Sequence, residues 1–147
     1  MRIKNTILVY TTPRTTEQKL TLKIVKKIFK KHKINFKMAD RDKLNKSQFI
    51  NKDLVIAFGG DGTFLRAAHF IDNQLILGVN ADPKNKEGFL MKADKNDFEK
   101  KLKKIINNKF KIAKLPRLEA YINGRKIGAY ALNEFFVGAR KSYHAAK

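Results

Sequence analysis

Residues 53–58, reading DLVIAF, constrain the fold of this 147-residue chain more than any other stretch. This near-continuous apolar run ends in Gly59-Gly60-Asp61-Gly62-Thr63, and residues 64–70 then take up helical spacing. A strand that is apolar on both faces has to be covered on both, which is the situation of a buried strand in a parallel sheet. Strand, glycine-rich turn and helix in that order make a βα connection. In open sheets of this kind ligands bind beyond the carboxyl ends of the strands, so the turn is also the first place to look for chemistry.

The rest of the chain repeats the alternation. Residues 3–10 form a short apolar strand that Pro13 ends, and Thr15 with Gln18 matches a capping box. Leu20, Ile24, Val25, Ile28 and Phe29 then fall on one helical face, with lysines opposite. Residues 34–38 alternate as a second strand, residues 43–50 make a short helix or turn, and residues 74–79 read as another buried strand. Asp94 caps a further helix with Phe98, Leu102, Ile105 and Ile106 on one side. Strands alternating with helices predict an α/β fold with a Rossmann-like parallel sheet.

After Phe110 the pattern changes. Residues 118–122, then Asn123-Gly124, then residues 126–131 spell strand, type I′ turn and strand. We therefore divide the chain into an α/β domain, residues 1–113, and the start of a β-rich domain, residues 114–147. The second piece is too small to close a core of its own. It is expected either to dock on the first or to continue in strands that lie beyond this sequence.

Charge excludes less than its size suggests. The formal net charge is +20, from 33 Lys+Arg against 13 Asp+Glu, and 26 of the basic residues are Lys. Most of them occupy the polar faces of the helical stretches, whereas residues 53–83, which hold the glycine-rich turn, carry four Asp and one Arg. The excess reads as a lysine-coated surface before it reads as a nucleic-acid footprint. With no Cys there is neither a disulfide scaffold nor a thiolate metal site. No run approaches the roughly 18–20 apolar residues of a membrane span, and the first apolar segment reads as a strand, not a leader peptide. A cytoplasmic protein without a membrane partner is expected.

Glycines in the turn let a backbone approach a phosphate closely, and the N–H groups there suit anionic oxygens. Asp61 is the odd member, because a carboxylate repels the phosphates the turn attracts. The conflict resolves if Asp61 accepts a proton from a hydroxyl nucleophile or faces a magnesium ion. No G-x-x-x-x-G-K-[ST] occurs, and Leu65 stands where a dinucleotide fingerprint needs its third glycine. A second cluster closes the next strand: Gly78-Val79-Asn80, then Asp82-Pro83, then Gly88-Phe89-Leu90. The Asn80 amide can bond a ribose or a base, or simply make an Asx turn. Asn133-Glu134 is a third, set inside the apolar stretch 130–137, where buried polar groups need a partner. His32, His69 and His144 make no site, and no caged transition metal is expected.

Taken in order, these three clusters resemble the signature regions of the NAD kinases, and the resemblance runs from the first strand to Asn133-Glu134. The first motif alone is shared with diacylglycerol and sphingosine kinases; the Asn-Glu pair sets the NAD kinases apart. The resemblance implies a two-domain enzyme with its active site between the domains. It implies transfer of a phosphoryl group from ATP or polyphosphate to the adenosine 2′-hydroxyl of NAD, with Mg²⁺ or another divalent cation, to give NADP.

On that resemblance Asp61 is the proton acceptor, and Gly60, Gly62 and Thr63 lie against the nucleotide. Arg66 stands near the dinucleotide phosphates, Asn80 ends an NAD-contacting strand, and Asn133 and Glu134 hold the adenosine portion. The long loop 81–87 is closer to the branch that contains mitochondrial NAD kinases. Members of the family continue well past the Asn-Glu pair, so this chain is expected to be inactive alone and homo-oligomeric when full length. The alternatives are a lipid kinase with the same first motif and a basic nucleic-acid-binding module.

Overall fold

The apolar run at residues 54–59 becomes β3 (Leu54–Gly59), every residue of which is buried. This computed structural model describes residues 3–135. They fall into two compact units, which divide between Ala113 and Lys114. In the first unit β1 (Asn5–Tyr10), β2 (Asn35–Asp40), β3 and β4 (Leu75–Asn80) form a parallel sheet in the order β2-β1-β3-β4. β3 pairs with β1 on one side and β4 on the other, and the elements packed on the two faces of the sheet account for its apolar composition on both.

Alternate residues of the sheet feed two cores. Leu8, Leu54, Ile56 and Phe58 pack with Val25, Ile28 and Phe29 of α1 (Thr16–Lys31) and with Phe98, Leu102 and Ile105 of α3 (Phe98–Ile106). Ile7, Val9 and Val55 face the other way, onto Ala67 of α2 (Asp61–Ala68), Phe49 and Ile71. Helices therefore cover both faces, and the Rossmann-like α/β class read from the alternation is the one found. Asp53 ties the start of β1 to β3, its Oδ2 accepting from the N–H groups of Lys4 (2.8 Å) and Asn5 (2.9 Å).

Four local expectations need correction. Leu20 is 46% exposed; the buried stripe of α1 is Thr21, Val25, Ile28 and Phe29, one position round the helix. Thr15 does accept from the Gln18 N–H, but the Gln18 side chain bonds the Arg14 N–H at 2.9 Å instead of closing the box on Thr15. The fourth strand is an edge strand among the described residues, and Leu75, Ile76 and Leu77 are only half-buried. Asp94 caps a turn that precedes α3, accepting from the N–H groups of Asn96 and Asp97, while the helix itself begins at Phe98.

The second unit contains an antiparallel pair, β5 (Leu118–Ile122) and β6 (Arg125–Ala131). Asn123 and Gly124 both take positive φ, 48° and 74°, as a type I′ turn demands. Leu118, Tyr121 and Ile122 stay exposed, so the hairpin buries little apolar surface within itself.

Candidate active site

Because the four strands of the first unit are parallel, their carboxyl ends share one edge. Thr11 and Thr12 follow β1, Arg41 follows β2, Gly60 and Asp61 follow β3, and Ala81 and Asp82 follow β4. The candidate site is built along that edge.

Gly59 makes the exit from β3 possible. Its φ is +153°, and a Cβ there would lie 2.5 Å from Thr63 Oγ1 and 2.8 Å from Thr11 Oγ1. Those two hydroxyls are themselves 2.5 Å apart, joining the end of β1 to α2 across the space a side chain would fill. Gly60 is extended and caps α2, its carbonyl accepting from the Thr63 N–H at 2.8 Å. The helix thus starts at Asp61, three residues before the expected start at Phe64. Asp61 occupies the first helical position, where the positive end of the helix favours a carboxylate. That gives the acidic residue a local reason to be in a phosphate-type turn.

Asp61 has a second partner that the sequence does not announce. Its Oδ2 accepts from the Phe89 N–H and its Oδ1 from the Leu90 N–H, both at 2.9 Å. The carboxylate therefore holds the Gly88-Phe89-Leu90 segment by two backbone amides. Gly88 sits where a Cβ would come within 2.7 Å of Met91 Cβ and 3.1 Å of Asn80 Nδ2, so the segment closes tightly over the end of β4. The ring of Phe89 is 82% exposed, with the Lys92 ammonium 5.2 Å from its centre.

Asn80 is buried at the end of β4 and its amide is engaged at both ends. Oδ1 accepts from the Asp82 N–H at 2.9 Å, an Asx turn, and Nδ2 donates to the Lys86 carbonyl at 2.8 Å. Of the two alternatives for Asn80 the Asx turn is the one present, and this side chain shapes the loop. Buried Asp82 continues the job, accepting from Asn85 Nδ2 at 3.0 Å while its carbonyl takes the Asn85 and Lys86 N–H groups. Loop 81–87 is a hydrogen-bonded turn centred on Asp82.

Arg66 is exposed on α2, and its Nε donates to the carbonyl of Arg41 at 3.2 Å. Arg41 escaped the sequence reading because it sits in no motif. Its Nε pairs with Asp42 Oδ1 at 3.2 Å, and Nη1 lies 3.6 Å from where a Cβ on Gly62 would be. The one signal available was its place directly after a strand. Asn133 and Glu134 belong to the second unit, lie past the end of β6 and are exposed, not enclosed in a buried strand. Phe136 and Val137 of that stretch, and His144, fall outside the described residues. His32 caps α1 and meets Glu99 Oε1 at 2.8 Å. With Lys31 also on it, the Glu99 carboxyl is held down at about 2.

Among the described residues no three His, Cys, Asp or Glu side chains gather to hold a metal ion. Asp61 already has an amide N–H on each oxygen. The described residues do not fit a protein cage for a divalent cation.

Comparison with known proteins points to the same family. The family model described as the ATP-NAD kinase N-terminal domain matches residues 5–110. A protein of Oryza sativa subsp. japonica named probable NADH kinase is 29% identical over 93% of this chain and 47% of its own length. An NADH kinase of Arabidopsis thaliana is 31% identical over 88% of this chain and 46% of its own. An NAD kinase of Acetivibrio thermocellus is 34% identical over 60% of this chain and 31% of its own. The chain spans about half the length of the plant relatives, and less of the bacterial one.

Proposed function

The chain belongs to the NAD kinase family, and on that premise we propose that it carries the motif-bearing first part of a two-domain enzyme making NADP from NAD. The observation that carries the reading is Asp61 at the start of α2, at the carboxyl edge of the sheet, with the Gly88-Phe89-Leu90 segment bonded to it. In the proposed step the adenosine 2′-hydroxyl oxygen of NAD forms a bond to the terminal phosphorus of ATP or polyphosphate. Its proton passes to the Asp61 carboxylate. The bond from that phosphorus to the bridging oxygen breaks, and the electron pair leaves with ADP or the shortened polyphosphate.

An ionised carboxylate has about four acceptor positions, so two amide bonds leave room for a hydroxyl. Gly60 and Gly62 line the phosphates and Arg66 serves the dinucleotide phosphates, while Thr63, fully buried and bonded to Thr11, supports the turn from behind instead of touching the nucleotide. Asn80 keeps loop 81–87 in shape beneath the nucleotide. Asn133 and Glu134, from the β-rich part, hold the adenosine. A divalent cation would be carried by the donor's own phosphate oxygens, not by a protein cage, and would neutralise their charge. Little of this is covalent work; positioning and charge neutralisation supply most of the rate in phosphoryl transfer. A cytoplasmic homo-oligomer is the setting we infer. Among the described residues no helix is long and apolar enough to cross a membrane.

The test is a kinase assay on the longest in-frame polypeptide containing residues 1–147, with ATP and polyphosphate as donors. NAD, NADH and diacylglycerol are offered as acceptors, NADH because of the names of the plant relatives. Phosphate entering a nicotinamide dinucleotide is the expected result, and turnover of the lipid alone would overturn the reading. The lipid-kinase and nucleic-acid alternatives find no support in the comparisons. Salt-sensitive binding to DNA or RNA without nucleotide binding is what would revive the latter.

A further inference from the structure

We propose that Arg41 binds the phosphate chain of the phosphoryl donor, on the flank of the motif opposite the acceptor hydroxyl. The proposal deepens the NAD kinase reading and rests on it. The strand order β2-β1-β3-β4 gives the motif two flanks. Asp61 faces Phe89 and Leu90, in the segment that follows β4. The very next residue, Gly62, faces Arg41, which follows β2 at the far end of the sheet order.

Phosphoryl transfer places the attacking and leaving oxygens roughly in line on opposite sides of the phosphorus. With the attacking hydroxyl at Asp61, the leaving oxygen and the phosphates behind it extend toward Gly62 and Arg41. The guanidinium is set for such a ligand. Its Nε is anchored on Asp42 Oδ1, and the Arg41 carbonyl is tied to α2 through Arg66 Nε. The fork is thereby turned with Nη1 toward Gly62, where the absence of a side chain keeps the intervening space clear. Planar guanidinium groups match phosphate oxygens two at a time.

Charge argues the same way. Residues 53–83 bring four Asp and one Arg to a reaction whose two substrates are both anionic. Arg66 is the cation of that segment, and Arg41 is the one that β2 delivers to the motif from outside it. A donor phosphate chain has to be neutralised where it is broken.

The experiment uses the longest in-frame polypeptide and compares wild type with Arg41→Gln and Arg41→Lys. Steady-state kinetics give KM for ATP and for NAD separately, and calorimetry measures binding of inorganic tripolyphosphate without turnover. Arg41→Gln should raise KM for ATP and weaken tripolyphosphate about tenfold or more, with KM for NAD within about twofold. Arg41→Lys should recover only part of the loss, since an ammonium keeps the charge without the fork.

A rise in KM for NAD with KM for ATP unchanged would put the guanidinium on the dinucleotide phosphates and overturn the proposal. Unchanged tripolyphosphate binding in Arg41→Gln would also overturn it, whatever the kinase activity. If the wild type phosphorylates no dinucleotide yet loses tripolyphosphate on Arg41→Gln, the kinase reading falls and the Arg41 assignment survives.

Discussion

Replacing Asp61 with Asn removes one charge and turns one of two acceptor oxygens into a donor. From the motif alone the expected outcome is loss of turnover with NAD binding largely kept. The structure adds a second effect, because both oxygens hold amides of the Gly88-Phe89-Leu90 segment at 2.9 Å. An Asn side chain accepts from one N–H and points its own N–H₂ at the other. Phe89 is the more exposed of the two, so its N–H turns to water while Leu90 keeps the remaining oxygen.

A hydrogen bond to an ionised group contributes about 1.5–3 kcal/mol and one between neutral groups about 1. One bond lost and one weakened leaves the segment about 2–5 kcal/mol less well held. That corresponds to a shift toward an open segment of roughly 30-fold to several thousand-fold. Hydrogen exchange of a peptide spanning residues 86–92 reads this directly, as faster exchange in Asp61→Asn than in wild type, with the Phe89 amide released first and that of Leu90 as the segment opens. Titration of NAD by calorimetry then shows weaker binding alongside the lost turnover. Unchanged exchange across residues 86–92, with NAD affinity also unchanged, would refute the clamp and return Asp61 to a purely chemical role.

Two further perturbations probe the frame around the site. Gly59→Ala combines a φ of +153° with a Cβ only 2.5 Å from Thr63 Oγ1. It should lower stability by about 2–4 kcal/mol in urea titrations, and an unchanged midpoint would contradict the packing described. Asp53→Asn loses the charged acceptor for the Lys4 and Asn5 amides and should cost about 1–2 kcal/mol at pH 7. The Asp53 carboxyl lies below its ordinary 3.8, chiefly through the Asn5 amide and then that of Lys4, against an opposing effect of burial. A lowered native pKa means stability that is present above pH 3.8 and drains away as pH falls below it. The gap between wild type and Asp53→Asn should therefore close on acidification. A gap of the same size at low pH would rule that linkage out.

Much of the fold was legible because it is local. The all-apolar β3 implied cover on both faces, and Asn123-Gly124 supplied the positive φ values of its turn. The misreadings have local causes too. Gly62 hid the first turn of α2, since glycine is a poor helix former, while the Asp at the first helical position spoke for the helix. Leu20 fits an apolar stripe by spacing yet lies one position off the buried one. Asn80 has the composition of a ligand contact and the geometry of an Asx turn, which residue type cannot separate.

The sequence by itself determined the alternation, the place of the glycine-rich motif after a buried strand, and the order of motifs that resembles the family's. Those follow from periodicity and residue chemistry, which act over a few neighbours. Only the tertiary structure decided what the motif touches. Asp61 reaches Phe89 and Leu90 from 28 and 29 residues away, and Gly62 meets Arg41 from the far end of the sheet order. Such pairings depend on strand order and parallel register, which bring the carboxyl ends to one edge, and no short-range pattern encodes which ends become neighbours.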